Sequence, residues 1–144
     1  MTRIIGSMRT HVALVFLLFS SQAFCADGIW ESWGKANDGD WYLLKNSVEY
    51  DKGAASVWMM KNLKSEKTAN NGAHYRSIRI QYQYDCSGFS ERPIWIKGYG
   101  DQMGTGVEVF SDYVGYDSKP TVYSPSDWEA SYARFCKRKW EFWK

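Results

Sequence analysis

Between residues 75 and 85 apolar and polar side chains alternate. Ile78, Ile80, Tyr82 and Tyr84 are separated by Arg79, Gln81 and Gln83, with Ser77 and Asp85 flanking the run. Successive residues of a strand point to opposite faces, so this period of two predicts a strand with one buried and one solvated face. A helix would scatter the same apolar residues around its circumference. Shorter runs predict further strands over 40–45, after an "NDGD" turn signal, and over 55–63, after "DKG". Beyond Cys86, "RPIWIKGYG" reads as a strand and "GTGVEVFSDY" as its antiparallel partner. Pro93 cannot donate to a ladder, which predicts that it lies at the beginning of its strand or on an edge. The polar stretch "KSEKTANNGAH" between two strands reads as a mobile loop.

The period changes near the C-terminus. Ser126 and Glu129 have the spacing of a capping box, and Trp128, Tyr132, Phe135 and Cys136 then fall on one helical face. Lys137, Arg138 and Lys139 follow where cations suit the negative end of a helix. Antiparallel strands followed by one helix predict an α+β fold: a sheet of about five to six strands with a C-terminal helix packed on one face. No repeat or linker divides the chain.

The first residues change the setting of that domain. Arg3 and Arg9 precede an unbroken apolar run over 12–19, and small residues follow, as in a secretory signal peptide. The run falls far short of the roughly 20 residues needed to cross a bilayer. Cleavage is expected after Ala23 or Cys25, giving a signal peptide over 1–25 and a single domain over 26–144 with a basic, aromatic tail over 137–144. No later segment is apolar enough to span a membrane. Loss of Arg3 and Arg9 leaves 16 basic against 16 acidic side chains, so the mature domain is near neutral. A nucleic-acid binder needs a concentrated basic face, and this balance argues against one.

Candidate chemistry is sparse. His74 is the one histidine outside the signal segment and reads as an exposed loop residue. Cysteine and histidine never approach zinc-ligand spacing, so neither a metal nor another cofactor is expected. "GYGDQMGTG" lacks the GK[ST] ending and following helix of a phosphate loop, and reads as a hairpin loop needing positive φ. Asp85, Glu91 and Asp101 sit near expected strand ends and could form a carboxylate pair, although such residues are common on surfaces. "GFS" at 88–90 lacks the frame of a nucleophile elbow. The domain therefore reads as a non-enzyme. With Cys25 removed or at the cleavage boundary, Cys86 and Cys136 form an even pair in an oxidising compartment. A bridge between them would pin helix to sheet, the rival reading being a reactive thiol.

Together these segments resemble the surface-adhesin protein E-like family. "HYRSIRIQYQYDCSGFSER" resembles its alternating strand closing on Asp-Cys, and "VWMMKNL" its preceding Val-Trp strand. "GTGVEVFSDY" and "YSPSDWEASYARFC" resemble its Gly-x-Gly hairpin and its Pro-x-Ser helix ending in the second cysteine. The likeness covers about residues 33–136. It departs where Lys45 stands at an aspartate position and where "KRKWEFWK" extends past Cys136. The resemblance implies an antiparallel sheet tied to its helix by a disulfide, in an exported Gram-negative protein. It also implies non-enzymatic binding of host matrix or plasma proteins such as vitronectin, laminin and plasminogen. It does not specify contact residues.

The composition adds a surface. Eight tryptophans in so small a chain cannot all be core, and partly exposed aromatics mark where a partner would bind. The candidate binding residues are Trp95 and Tyr99 on an expected strand, with Lys137, Arg138, Lys139, Trp140 and Trp143 in the tail. A protein partner fits this surface best, a homodimer being left open, and the location is the periplasm or the outer cell surface. A different class, a periplasmic inhibitor or envelope-stress protein of the lysozyme-inhibitor kind, shares the size and compartment.

Overall fold

The structure is a computed structural model that describes residues 28–115, 117–126 and 132–136. Among the described residues eight strands form one antiparallel sheet: β1 (Trp30–Ala36), β2 (Gly39–Leu44), β3 (Glu49–Asp51), β4 (Ala54–Thr68), β5 (His74–Asp85), β6 (Ser90–Tyr99), β7 (Glu108–Tyr113) and β8 (Thr121–Val122). The main order is β1-β2-β4-β5-β6-β7, with β3 paired to β4 and β8 to β6. A short helix, α1 (Ala133–Cys136), lies near the C-terminus, and a 3-10 turn spans Gln102–Gly104. The sheet thus has more strands than the sequence suggests. The additional ones are β1, β3 and β8, two of them too short to show a period.

Alternation along β4 and β5 sorts the side chains as expected. Ala55 pairs with Tyr84, Val57 with Tyr82 and Met59 with Ile80, which puts all six on the face that α1 covers. Ala55, Val57, Met59, Tyr84 and Phe135 form the core there, each at most 5% exposed. Trp33, Trp41, Leu43, Tyr123 and Tyr132 pack around them. A buried aromatic stack is the centre of this layer: the Phe135 ring lies 4.9 Å from Tyr84 and 5.0 Å from Trp33. Cys86 is bonded to Cys136 with their Cα atoms 5.5 Å apart, so the end of β5 holds the end of α1 directly.

Two sequence expectations need correction. Lys64–Thr68 was expected in a loop but continues β4, because Lys67 and Thr68 pair with Tyr75 and His74. Residues 64–68 are all exposed, so no buried face imposes an alternation that could be read. Pro93 is the fourth residue of β6 rather than its beginning, and it stands at an edge only locally, where one side of the strand is unpaired. The ladder accommodates it because β6 bulges there: Gln81 pairs with Trp95 and Tyr82 with Pro93, leaving Ile94 over. On the other side Pro93 falls between the pairing of β8, at Ser90 and Glu91, and that of β7, which starts at Trp95.

Close strand approach fixes one glycine. A Cβ on Gly39 would lie 2.2 Å from the Asn62 carbonyl oxygen, a backbone atom that cannot swing away. Gly39→Ala is expected to force β2 off β4 and lower stability by about 1–3 kcal/mol, measurable by urea unfolding. A loss below about 0.5 kcal/mol would show that the two strands have room to separate.

Candidate functional site

The two faces of the sheet are chemically different. On the face away from α1, the register aligns large side chains across the strands: Trp30 with Leu44, Trp58 with Gln81, Gln81 with Trp95, and Trp95 with Tyr113. One level further along, Met60 stands opposite Arg79 and Arg79 opposite Lys97. The Trp95 and Tyr113 rings meet at 4.7 Å, and Tyr113 is 56% exposed. Arg79 lies over both the Tyr99 ring, at 4.8 Å, and the Trp30 ring, at 5.4 Å. Strands β1 and β5 are three spacings apart in the sheet, roughly 14 Å, so these side chains meet above β2 and β4. They enclose, with Leu44, Trp58 and Lys97, a hollow of about 240 Å³.

One end of this face is covered by the β6–β7 connection. Ser77 donates to the Asp101 carbonyl and accepts from the Gly104 amide at 2.9 Å. Asn62 accepts from the Met103 amide, and Arg79 donates to the Gly104 carbonyl at 2.8 Å. Met103, Gly104 and Gly106 have φ of 57°, 64° and 77°, so this glycine-rich stretch is the hairpin loop its composition suggests. Its amides at 101, 103, 104 and 105 all have protein acceptors, so none of these four is free to cradle a phosphate.

On the α1 face, Trp33, Gly34, Lys35, Trp41, Met59, Tyr82, Tyr84, Glu91 and Tyr132 line an open cavity of about 380 Å³. Glu91 reaches it from β6, opposite Tyr84. Tyr123 donates to Glu91 Oε1 at 2.5 Å, and the Tyr123 and Tyr132 hydroxyls are 3.3 Å apart. Burial holds the Glu91 carboxyl above the usual carboxylate range, a shift only partly offset by hydrogen bonds from Tyr123 and Tyr84. Burial also raises the surrounding phenols, Tyr82 to about 12 and Tyr84, Tyr123 and Tyr132 upward as well.

The residues singled out from sequence are distributed as follows. Trp95 and Tyr99 share the face away from α1. Lys137, Arg138, Lys139, Trp140 and Trp143 lie outside the described residues, as do the signal segment, Trp128 and Glu129. The carboxylates do not converge. Asp85 is bound by the Ser87 amide and hydroxyl and by the Gly88 amide, contacts that lower its pKa, while Glu91 is on the opposite face. Asp101 lies past the far end of β5, roughly 26 Å along the strand. His74 is exposed at the start of β5, 3.3 Å from Glu66. Among the described residues no three His, Cys, Asp or Glu gather to hold a metal, and no helix is long and apolar enough to cross a membrane. Sequence reasoning missed the cavity and the part Trp30, Trp58 and Arg79 play opposite Trp95. The usable signal for Glu91 was its parity, two positions before Pro93 on the buried side of β6.

One antiparallel sheet, roofed on one face by a helix tethered through Cys86 and Cys136, defines a small disulfide-pinned β-rich domain. The chain belongs to the surface-adhesin protein E family, which it matches over residues 30–137. Among solved structures it is similar to Haemophilus influenzae protein E. Crystal form II of that protein aligns at TM-score 0.55 and 13% identity, over 78% of this chain and 89% of that one. Another structure of it aligns at TM-score 0.54 and 13% identity, over 77% and 85%. Protein E from non-typeable Haemophilus influenzae is matched over just 66% of its chain and 67% of this one, at TM-score 0.49 and 15% identity. At such identities the likeness establishes the fold. No curated protein sequence matches the chain.

Proposed function

We infer that the mature chain is an exported, non-enzymatic binding protein that meets a protein partner through the sheet face away from α1. The observation that carries this reading is the aromatic row Trp30, Trp58, Trp95 and Tyr113, beside Arg79, Lys97 and Tyr99. Rigid aromatic side chains and arginine supply most of the energy of protein interfaces, since they bury much area for little lost freedom. Family membership supports an adhesin-like role, and the partner class we assign is host matrix or plasma protein. Export rests on the signal-peptide pattern of residues 1–25, with the mature domain in the periplasm or on the outer surface. The basic, aromatic tail over 137–144 is a second contact surface in this reading.

The test is binding of purified mature protein to surfaces coated with laminin, vitronectin or plasminogen. Replacing both Trp95 and Tyr113 with Ala is expected to weaken capture by at least about tenfold, with the thermal midpoint little changed. Undiminished capture by a folded double variant would exclude this face. The mass of the protein recovered from cell envelopes tests export at the same time, since a retained residue 1–25 segment would overturn it.

A further inference from the structure

We propose that the cavity on the α1 face binds a small organic cation with an alkylated ammonium head, seated against the Glu91 carboxylate and the rings of Trp41, Tyr82 and Tyr132. The argument begins with charge. Glu91 is half-buried, and among the described residues no lysine or arginine forms an ion pair with it. A carboxylate so placed loses hydration, and no ion pair among the described residues replaces the missing positive charge. Its hydrogen-bonding need is another matter, because Tyr123 donates to it at 2.5 Å. Among the described residues Glu91 has a donor but no cation of its own: Lys61, the lysine over the Trp41 ring, is paired with Asp38 at 2.7 Å.

The walls favour the same ligand. Aromatic rings present a negative face to a cation, and such contacts strengthen when water is excluded. The chain's own side chains already exploit this around the cavity: Arg134 lies over the Trp33 ring and Lys61 over the Trp41 ring, the latter at 5.1 Å. Apart from Glu91, the lining offers only phenolic oxygens and the Met59 sulfur as side-chain acceptors, and that sulfur already faces the Tyr84 hydroxyl at 3.6 Å. A primary ammonium would bring three N–H donors and find few acceptors. An alkylated one requires charge and ring faces, which are present, and about 380 Å³ accommodates it with room to spare. Lys35 also lines the cavity, but its exposed position lets solvent and salt screen its charge, whereas Glu91 acts from the interior.

Protonation should control occupancy. Among the described residues, the titratable and charged groups around Glu91 and its cavity are Tyr82 and Tyr84 of β5, Tyr123, Tyr132, Arg134 of α1 over the Trp33 ring, Lys61 of β4 over the Trp41 ring and, at the mouth, Lys35 of β1. Burial pushes all four phenols up, so none of them loses its proton in the acid range. Affinity is therefore expected to fall as the medium is acidified through the raised pKa of Glu91.

Choline is the probe, with 3,3-dimethylbutan-1-ol as its uncharged isostere and ethanolamine as its primary-ammonium analogue. Titrations are followed by tryptophan fluorescence, to which Trp33 and Trp41 report, and by calorimetry. Saturable choline binding is expected, with the alcohol and ethanolamine each at least about tenfold weaker and Glu91→Gln about tenfold weaker for choline. Glu91→Gln should keep or raise the thermal midpoint at neutral pH. A carboxyl whose folded pKa exceeds its unfolded one favours folding in acid and loses that contribution as pH rises through the folded value. No saturation by choline, equal binding of the alcohol, tighter binding of ethanolamine, or unchanged affinity in Glu91→Gln would each overturn the proposal. The comparison of the three probes uses the native protein alone, so it stands even where a variant folds poorly. Trp95→Ala with Tyr113→Ala, on the other face, should leave choline binding intact, which separates this site from the protein-binding surface.

Discussion

Replacing Cys86 and Cys136 together with Ser is expected to lower the stability of the mature domain by about 4 kcal/mol, close to the effect of reducing the native bond. The two cysteines are separated by 50 residues, and closing a loop of that length in the unfolded chain accounts for about this much in the chain-entropy model. For a domain of this size the thermal midpoint should fall by roughly 10–20 °C. The local structure points the same way. The described helix α1 has four residues, too few to persist without packing, and besides the bond it is held to the sheet chiefly through Phe135. Loss of the bond should therefore free α1 before the sheet melts, giving an early loss of protection at 132–136 in hydrogen exchange. Equal midpoints with and without reductant would show that the bridge adds nothing to a helix already docked by its rings.

How legible this architecture was depends on whether each strand has two different faces. β5 could be read because Tyr82 and Tyr84 go inward while Gln81 and Gln83 do not. The C-terminal third of β4 could not, since Lys64 to Thr68 are exposed on both sides. β1 hides for another reason: Trp30 faces away from α1, Trp33 faces it, and a register shift between Ser32 and Gly34 breaks the alternation. The disulfide was legible because Cys86 ends the best strand and Cys136 falls on an apolar helical face. Trp95 and Tyr99 could be chosen as aromatics on one strand face, but their companions Trp30, Trp58 and Arg79 come from three other strands. The cavity is harder still. Its lining is drawn from β1, β2, β4, β5, β6 and the C-terminal segment, and only the strand order brings Trp33 and Glu91 to one place.

Each face of the sheet has a charged centre, Arg79 on the side away from α1 and Glu91 on the α1 side. Arg79 is fitted between rings and a loop carbonyl, so it is part of how the β6–β7 connection is fastened. Changing it would confuse folding with binding. Trp95 and Tyr113 lie further from that fastening, near the β7 edge, which is why they are the better probes of partner contact.

The core of the α1 face gives the other large effect. Tyr84 is fully buried, lies 4.9 Å from Phe135 and 5.3 Å from Tyr132, and directs its hydroxyl to the Met59 sulfur. Tyr84→Ala removes the ring that both docks α1 and backs the cavity, and should lower stability by about 3–5 kcal/mol. Tyr84→Phe keeps the stack and removes only the hydroxyl, so a loss of about 1 kcal/mol is expected. Combining Tyr84→Ala with the two serines should cost less than the sum of the separate losses, because both changes release the same helix. Urea unfolding of the four proteins measures the coupling. Strict additivity would mean that the bond and the aromatic stack hold α1 independently, and that the sheet rather than the stack determines where the helix sits.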